Sequence, residues 1–176
     1  MGVTDSNGAE NRERIIIGAL RRYLADPEAT VRAGAALAHG LRGGMIVTLS
    51  GELGSGKTTL VRGILRELGW SGPVKSPSYG LVEQYQFSSL YFYHFDFYRL
   101  DENAGGSNEW DSAGFAEYVR PDSVAVIEWP ERVSARLPTA DVAAGLGHLE
   151  TGRMLELDAS TAAGKACLAQ FATVIA

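Results

Sequence analysis

The hydrophobic and polar positions of this chain of 176 residues follow two patterns, short apolar runs and apolar residues at helical spacing. Short apolar runs at 45–50 ("MIVTLS") and 123–128 ("SVAVIE") predict buried strands. Apolar side chains at helical spacing follow the first run and predict a helix over 56–68, with Leu60, Val61, Ile64, Leu65 and Leu68 on one face. A buried strand that leads directly into an amphipathic helix is therefore the clearest local pattern in the chain.

A second helix is predicted over 25–44, upstream of the first apolar run. Asp26 suits its N-cap, Pro27 its first turn and Glu28 the positive end of its dipole. The Gly43-Gly44 pair is expected to end it. The cap and the glycine pair thus bracket one helix of the fold.

The other apolar segments predict paired strands and a closing helix. Two strands joined by a tight turn at Ser88-Ser89 are expected over 79–100, and a hairpin turning at Thr151-Gly152 follows later. The segment 13–24 is apolar enough for a strand or a short helix, and the sequence leaves that choice open. A final helix is expected over 161–176.

Helices that alternate with apolar strands indicate one α/β domain with a mostly parallel sheet flanked by helices. The two predicted hairpins would be antiparallel additions to that sheet. We expect this domain to occupy 13–176, after a polar and disordered segment at 1–12. A chain of this length that is 45% hydrophobic has enough apolar side chains for a sizeable core.

Composition narrows the classes of function. The net charge of −5 and pI near 5.2 give no overall attraction to nucleic acid, although a local basic patch stays open. The single cysteine, Cys167, has no partner for an internal disulfide and suits a reducing compartment. No run approaches 18 apolar residues, and the first residues are acidic and polar where a signal peptide would be basic and then apolar. We therefore expect a cytoplasmic protein without a membrane span.

A phosphate-binding motif lies between the first strand and its helix. "GELGSGKT", from Gly51 to Thr58, matches G-x-x-x-x-G-K-S/T, the Walker A motif or P-loop. Glycines let the backbone curl so that its N–H groups point at a phosphate chain, and the following helix presents its positive end. Lys57 is then expected to reach the β- and γ-phosphates and Thr58 to bind Mg²⁺. These residues predict a P-loop NTPase-like domain, with ATP as the default nucleotide.

Two carboxylates are candidates for the acidic partner of Mg²⁺. Glu128 ends a fully apolar strand, and ligands of open α/β sheets lie beyond the carboxyl ends of the strands. Glu128 is therefore the better metal-linked acid. Asp96 lies among aromatic residues, so it needs either an ion pair or a role at the γ-phosphate and its water. Arg99 is close in sequence to Asp96, but strand alternation places it on the opposite face.

Other candidates keep more than one interpretation. His94 is expected to be a packed strand residue, with catalysis as the alternative. Trp129, between Glu128 and a proline, could stack on the nucleotide, gate the site, contact a partner or simply pack. The GTPase-like tetrapeptides "DSAG" and "NEWD", which overlap at 108–114, lack preceding apolar strands, so we interpret both as chance matches.

Four motifs in this order resemble those of the TsaE family, small bacterial ATPases required for the threonylcarbamoyladenosine modification of tRNA. The motifs are "GELGSGKTTLVRGIL", "VKSPSYGLVEQY", "YHFDFYRL" and "VIEWPERV". The resemblance runs from about Leu24 to Pro138, which is most of the chain. An ordered set of four motifs is far more specific than a P-loop alone.

The resemblance implies a role for each matched position. Nucleotide contacts would come from the loop and the residue after it, namely Gly51, Glu52, Leu53, Gly54, Ser55, Gly56, Lys57, Thr58 and Thr59. Asp96 corresponds to the acid of an H-F-D-x-Y-R motif and Glu128 to the metal-linked acid of an E-W-P motif, followed by Trp129. Thr30 belongs to a helix start near the adenine.

The sequence also departs from the family pattern. Ser78 replaces a usual threonine in a segment likened to a switch loop, and Gly80 replaces a residue that commonly carries a hydroxyl. A switch-loop contact at Gly80 is therefore in doubt. The loop at 102–111 is longer and richer in glycine than usual, and no function carries over to it.

The resemblance implies a Mg²⁺-dependent ATPase that is slow alone and works with TsaB and TsaD, the latter of which transfers the threonylcarbamoyl group to tRNA. ATP hydrolysis would drive or reset that complex, and tRNA would be involved indirectly. One alternative is a small-molecule kinase, which the scarcity of arginine in the loop that follows Leu100 disfavours. A second is a nucleotide-binding module with negligible turnover.

Overall fold

In the computed structural model, which describes residues 19–77, 80–100, 114–134 and 136–175 apart from the side chains of Ala19 and Ala116, seven strands form one sheet. The strands are β1 (Ala19–Leu24), β2 (Ile46–Ser50), β3 (Val82–Gln86), β4 (Tyr91–Asp96), β5 (Ser123–Glu128), β6 (Val142–His148) and β7 (Arg153–Ala159). Their order across the sheet is β1-β7-β6-β2-β5-β4-β3.

The centre of the sheet is parallel and its margins are antiparallel. Strands β6, β2, β5 and β4 run parallel to one another, whereas β7, β1 and β3 pair antiparallel with their neighbours. This arrangement confirms the expected α/β fold with antiparallel additions. Because β2, β5 and β4 are adjacent and parallel, the residues that follow them meet at one edge of the sheet.

Three α-helices accompany the sheet in the described part of the chain: α1 (Pro27–Ala38), α2 (Lys57–Glu67) and α3 (Ala162–Ile175). Short 3₁₀ helices occupy Phe115–Glu117 and Pro130–Val133. As predicted, Asp26 caps α1, since its Oδ1 accepts a hydrogen bond of 2.6 Å from the Ala29 amide. No helix in these ranges is both long and apolar enough to cross a bilayer.

Several predicted boundaries differ from the structure. Helix α1 ends at Ala38, before the Gly43-Gly44 pair, because i→i+3 hydrogen bonds from Gly40 and Leu41 tighten the chain into a turn. The undecided segment 13–24 is a strand over 19–24, and its earlier residues lie outside the described part. The disordered segment predicted at 1–12, the loop at 102–111 and Ser78 also lie outside it.

Two apolar clusters occupy the two faces of the sheet. The larger one packs under the three helices and includes Leu49, Ile64 and Val126. The smaller one packs under the 3₁₀ segments and includes Phe95 and Ile127. Residues that alternate along β4 and β5 therefore point alternately into the two clusters.

Helices α1 and α2 approach so closely that glycine is required at their contact. A Cβ atom on Gly34 would lie 2.1 Å from the Leu60 carbonyl oxygen, and one on Gly63 would lie 2.1 Å from the Val31 carbonyl oxygen. Since Thr30 lies in the first turn of α1 and α2 begins at the P-loop, this contact fixes the distance between two parts of the predicted nucleotide site.

We expect Gly34→Ala to lower the free energy of unfolding by about 1–3 kcal/mol, because its Cβ would force two backbones apart. Chemical denaturation measures the change. Gly147→Ala is the matched control, since a Cβ there meets nothing within 4 Å, and it should change stability by less than about 0.5 kcal/mol. Equal stability of the two variants would contradict the close contact.

The thiol of Cys167 reports on the docking of α3. Its side chain is 1% exposed, and burial raises its pKa to about 11. At pH 8 only about one thiol in a thousand is then ionised, so we expect the native protein to resist thiol reagents. Reaction should become complete in guanidinium, where α3 is released. Rapid labelling of the native chain at pH 8 would contradict this packing.

Candidate active site

The P-loop leaves β2 along a path that depends on glycine. Gly51, Gly54 and Gly56 have φ angles of 134°, 77° and 108°, values that other residues rarely adopt. A Cβ on Gly51 would also lie 2.3 Å from the carbonyl oxygen of Leu146 on β6. The loop is therefore held in a glycine-dependent turn that ends at the first residue of α2, Lys57.

Lys57 is bound by the loop itself. Its side chain is nearly buried, and Nζ donates hydrogen bonds to the carbonyl oxygens of Gly51 (2.7 Å) and Glu52 (2.9 Å). Burial lowers the pKa of Lys57, while the negative charges of Glu128 and nearby carboxylates oppose that shift. The ammonium group is thus enclosed at the position from which it would reach a phosphate.

Trp129 covers this ammonium group. The centroid of its ring lies 4.1 Å from Lys57 Nζ and 5.0 Å from the ring of Tyr98. Its backbone has a φ of 60°, in the left-handed region, and Pro130 begins a 3₁₀ helix directly after it. Of the interpretations left open for Trp129, the structure shows packing, on Lys57 and Tyr98, with a cation–π contact.

The two candidate acids lie side by side. Asp96 and Glu128 are the last residues of β4 and β5 and are paired in register. Oε1 of Glu128 accepts a hydrogen bond of 2.9 Å from the Thr58 hydroxyl. Oδ1 of Asp96 accepts one of 2.9 Å from the Tyr98 amide, and Oδ2 accepts one from the Ser76 hydroxyl. Parallel pairing thus brings both carboxylates to the first turn of α2.

His94 contributes to the site in a way that the sequence did not reveal. It is fully buried, and its Nε2 lies 2.8 Å from Glu128 Oε1. Counting by twos along β4 places His94 on the same face as Asp96, but no pattern in the sequence identifies Glu128 as its partner. The prediction for Arg99 was wrong. Strand β4 ends at Asp96, so alternation stops there and Arg99 lines the same cavity as Asp96.

These residues surround a cavity of about 400 Å³ in front of the P-loop. Of the predicted site residues, it is lined by Leu53, Gly54, Gly56, Lys57, Thr58, Thr59, Asp96, Glu128 and Trp129. Ser76, Tyr98 and Arg99 complete the wall. The cavity therefore combines the phosphate loop and both acids.

A second cavity, of about 170 Å³, lies on the other side of the loop. Thr30 and Ser55 line it together with Arg153 at the start of β7, a residue that sequence reasoning missed because the tail hairpin carries no motif. Gly51 and Glu52 line neither cavity and contact the site through their carbonyl groups. The P-loop thus separates a wider acidic space from a narrower one.

The donor set fits Mg²⁺ bound together with a phosphate. In the described ranges, no group of three His, Cys, Asp or Glu side chains is arranged to hold a metal alone. Mg²⁺ instead takes one or two protein oxygens along with phosphate oxygens and water. The Thr58 hydroxyl and the Glu128 carboxylate, which are already in contact, would supply such oxygens.

The chain is similar to known proteins of one family. The family model for threonylcarbamoyl adenosine biosynthesis protein TsaE matches residues 24–146. The TsaE protein of Haemophilus influenzae is 38% identical over 157 residues, which are 86% of this chain and 97% of that protein. That of Bacillus subtilis is 32% identical over 68% of this chain and 72% of its own length.

Among solved structures, the crystal structure of Bacillus subtilis YdiB matches with a TM-score of 0.75 and 23% identity, covering 90% of this chain and 97% of that one. This likeness supports the fold. The family model and the relatives go further, because they match the P-loop, β4 and β5 in one continuous stretch. The chain therefore belongs to the TsaE family of tRNA threonylcarbamoyladenosine biosynthesis proteins.

Proposed function

We propose that this protein is a Mg²⁺-dependent ATPase that supports the threonylcarbamoyladenosine modification of tRNA. The observation that carries the proposal is the contact between the P-loop helix and the sheet edge, where Thr58 meets Glu128 beside Asp96. Phosphate-binding and metal-binding groups are thereby brought together around one cavity. Family membership supplies the pathway.

Lys57 would bind the β- and γ-phosphates of ATP. Phosphate oxygens would take the place of the Gly51 and Glu52 carbonyls as acceptors for Nζ, with amide groups at the start of α2 directed at the same anion. An ammonium group that is already enclosed by the loop and by Trp129 interacts strongly with phosphate, since little water screens it.

Thr58 and Glu128 would hold Mg²⁺, which neutralises the charge that develops on the phosphate oxygens. Asp96 is fixed by the Ser76 hydroxyl and the Tyr98 amide, so its carboxylate keeps one orientation. From there it would orient the water that attacks the γ-phosphorus and accept the proton of that water as ADP leaves.

The narrower cavity would receive the other end of the nucleotide. Thr30 and Arg153 both line it, whereas Glu128 does not. This position agrees with the expectation that Thr30 lies near the adenine, and it adds Arg153 as a contact. ATP would then span the loop, with its phosphates in the wider cavity.

TsaB and TsaD are the proposed partners, and hydrolysis would drive or reset their complex in the cytosol. Support comes from the family and from the names of the relatives, which are tRNA threonylcarbamoyladenosine biosynthesis proteins. The acidic pI agrees with a protein that acts through other proteins and touches tRNA indirectly.

We expect Asp96→Asn and Glu128→Gln to separate the two acidic roles. Asp96→Asn should retain Mg²⁺-ATP binding and lose at least about tenfold in turnover, because an amide is a poor proton acceptor. Glu128→Gln should instead raise the Mg²⁺ concentration needed for half-maximal rate, because the amide has lost the negative charge. Phosphate release with TsaB and TsaD present measures both.

Glu117→Gln is the matched control, since Glu117 is an exposed acid on the 3₁₀ helix Phe115–Glu117 and lines neither cavity, and its turnover should equal that of the wild type. Wild-type rates in both site variants would contradict the assignment. A phosphorylated small molecule instead of free phosphate would favour the kinase. Tight ATP binding without any phosphate release would favour the binding module.

The pathway has its own test. Affinity capture of the tagged protein from its native cell should recover TsaB and TsaD, and more of both when ATP is present. Lys57→Ala, which removes the phosphate-binding ammonium, should abolish the ATP-dependent increase. Capture that is independent of both ATP and Lys57 would contradict a nucleotide-driven complex.

A further inference from the structure

A buried chain of hydrogen bonds connects the middle of the sheet to the P-loop helix. It starts at His94 on β4, passes through the Glu128 carboxylate on β5 and ends at the Thr58 hydroxyl on α2. His94 is 0% exposed and Glu128 is 2% exposed. Three elements that are distant in sequence therefore share one set of polar contacts under the site.

The directions of these bonds follow from their chemistry. An ionised carboxylate only accepts, so the Thr58 hydroxyl and the His94 imidazole both donate, and the histidine carries a proton on Nε2. Both bonds end on Oε1 of Glu128. In the described part of the chain no donor is bonded to Oε2, which leaves that oxygen for a cation.

We propose that His94 is a positioning residue for the cation site: it orients the Glu128 carboxylate so that Oε2 and the Thr58 oxygen face the same Mg²⁺. This inference rests on the proposed function. Two donors on one oxygen fix the rotation of the carboxylate about its side-chain bonds. The Thr58 hydroxyl gives its hydrogen to Glu128 and keeps its lone pairs for the cation.

An apolar residue at position 94 would fill the space but not this role. It would leave a nearly buried carboxylate with one donor, free to rotate away from Thr58. Groups that orient metal ligands through hydrogen bonds typically change metal affinity by about 10–100-fold when they are removed. Packing alone, by contrast, would change stability without a specific effect on cation affinity.

The test measures Mn²⁺ binding to the ADP complex by electron paramagnetic resonance, and ADP binding in EDTA by calorimetry. His94→Leu should weaken Mn²⁺ binding by about 10–100-fold, while ADP affinity in EDTA stays within about twofold. His94→Gln should retain Mn²⁺ affinity within about threefold, because its amide nitrogen reaches the position of the imidazole Nε2. His94→Asn, whose shorter amide does not reach Glu128, should resemble His94→Leu.

A double-mutant cycle identifies the route of the effect. In a Glu128→Gln background, His94→Leu should cause no further loss of Mn²⁺ affinity, because the ligand that His94 orients is already removed. Full additive losses in the double variant would overturn the proposal. An equal fall of ADP affinity with and without the cation would also overturn it, since that is the signature of general disruption.

If His94→Leu does not fold, the Mn²⁺ affinities of His94→Gln and His94→Asn still test the positioning role. Equal Mn²⁺ affinity in those two variants would overturn the positioning role. The wild type separates this inference from the proposed function. If Mn²⁺ does not bind the wild-type ADP complex, the proposed function and the positioning role of His94 both fail. If the wild type and all His94 variants bind Mn²⁺ equally well, only the positioning role of His94 fails.

Discussion

A carboxylate that is almost completely buried is the constraint around which this molecule is built. Glu128 stands at the end of β5 with 2% of its surface exposed, and a buried charge is tolerated only with donors around it. Thr58 and His94 supply them from α2 and β4. Satisfying one side chain therefore fixes the start of the P-loop helix relative to two parallel strands. The wider cavity, with Lys57 and Asp96 in its wall, lies where these three elements meet.

Much of this arrangement could be predicted from the sequence because it is encoded locally. The P-loop is a continuous motif whose glycines and lysine specify their own geometry, and Asp26 caps α1 from a neighbouring position. The apolar run before Glu128 predicts both a strand and the edge at which it ends. The alternation of strands with helices predicts that such strands pair in parallel. The proximity of the P-loop to Glu128 could therefore also be predicted from the sequence.

Other features could not be predicted because they depend on pairs of residues that are distant in sequence. His94 is an ordinary strand residue until β4 lies beside β5, and Arg153 joins the narrower cavity only because β7 pairs next to β6. The interpretation of Arg99 failed because strand alternation was extended past the actual end of β4. The early end of α1 likewise reflects a turn that packs Gly40 against Cys167 on α3.

The bonds of Lys57 to the Gly51 and Glu52 carbonyls have a consequence for how quickly a product could leave. These carbonyls compete with any phosphate for the lysine, so a nucleotide would replace existing bonds and would gain only the difference in free energy. Hydrogen bonds to charged groups contribute about 1.5–3 kcal/mol each, and 1.4 kcal/mol corresponds to tenfold in affinity. In the proposed ATPase, these carbonyls would rebind the ammonium group once the γ-phosphate has left, which would shorten the residence time of ADP. Fast release of ADP would suit a protein that must bind a new nucleotide for each cycle.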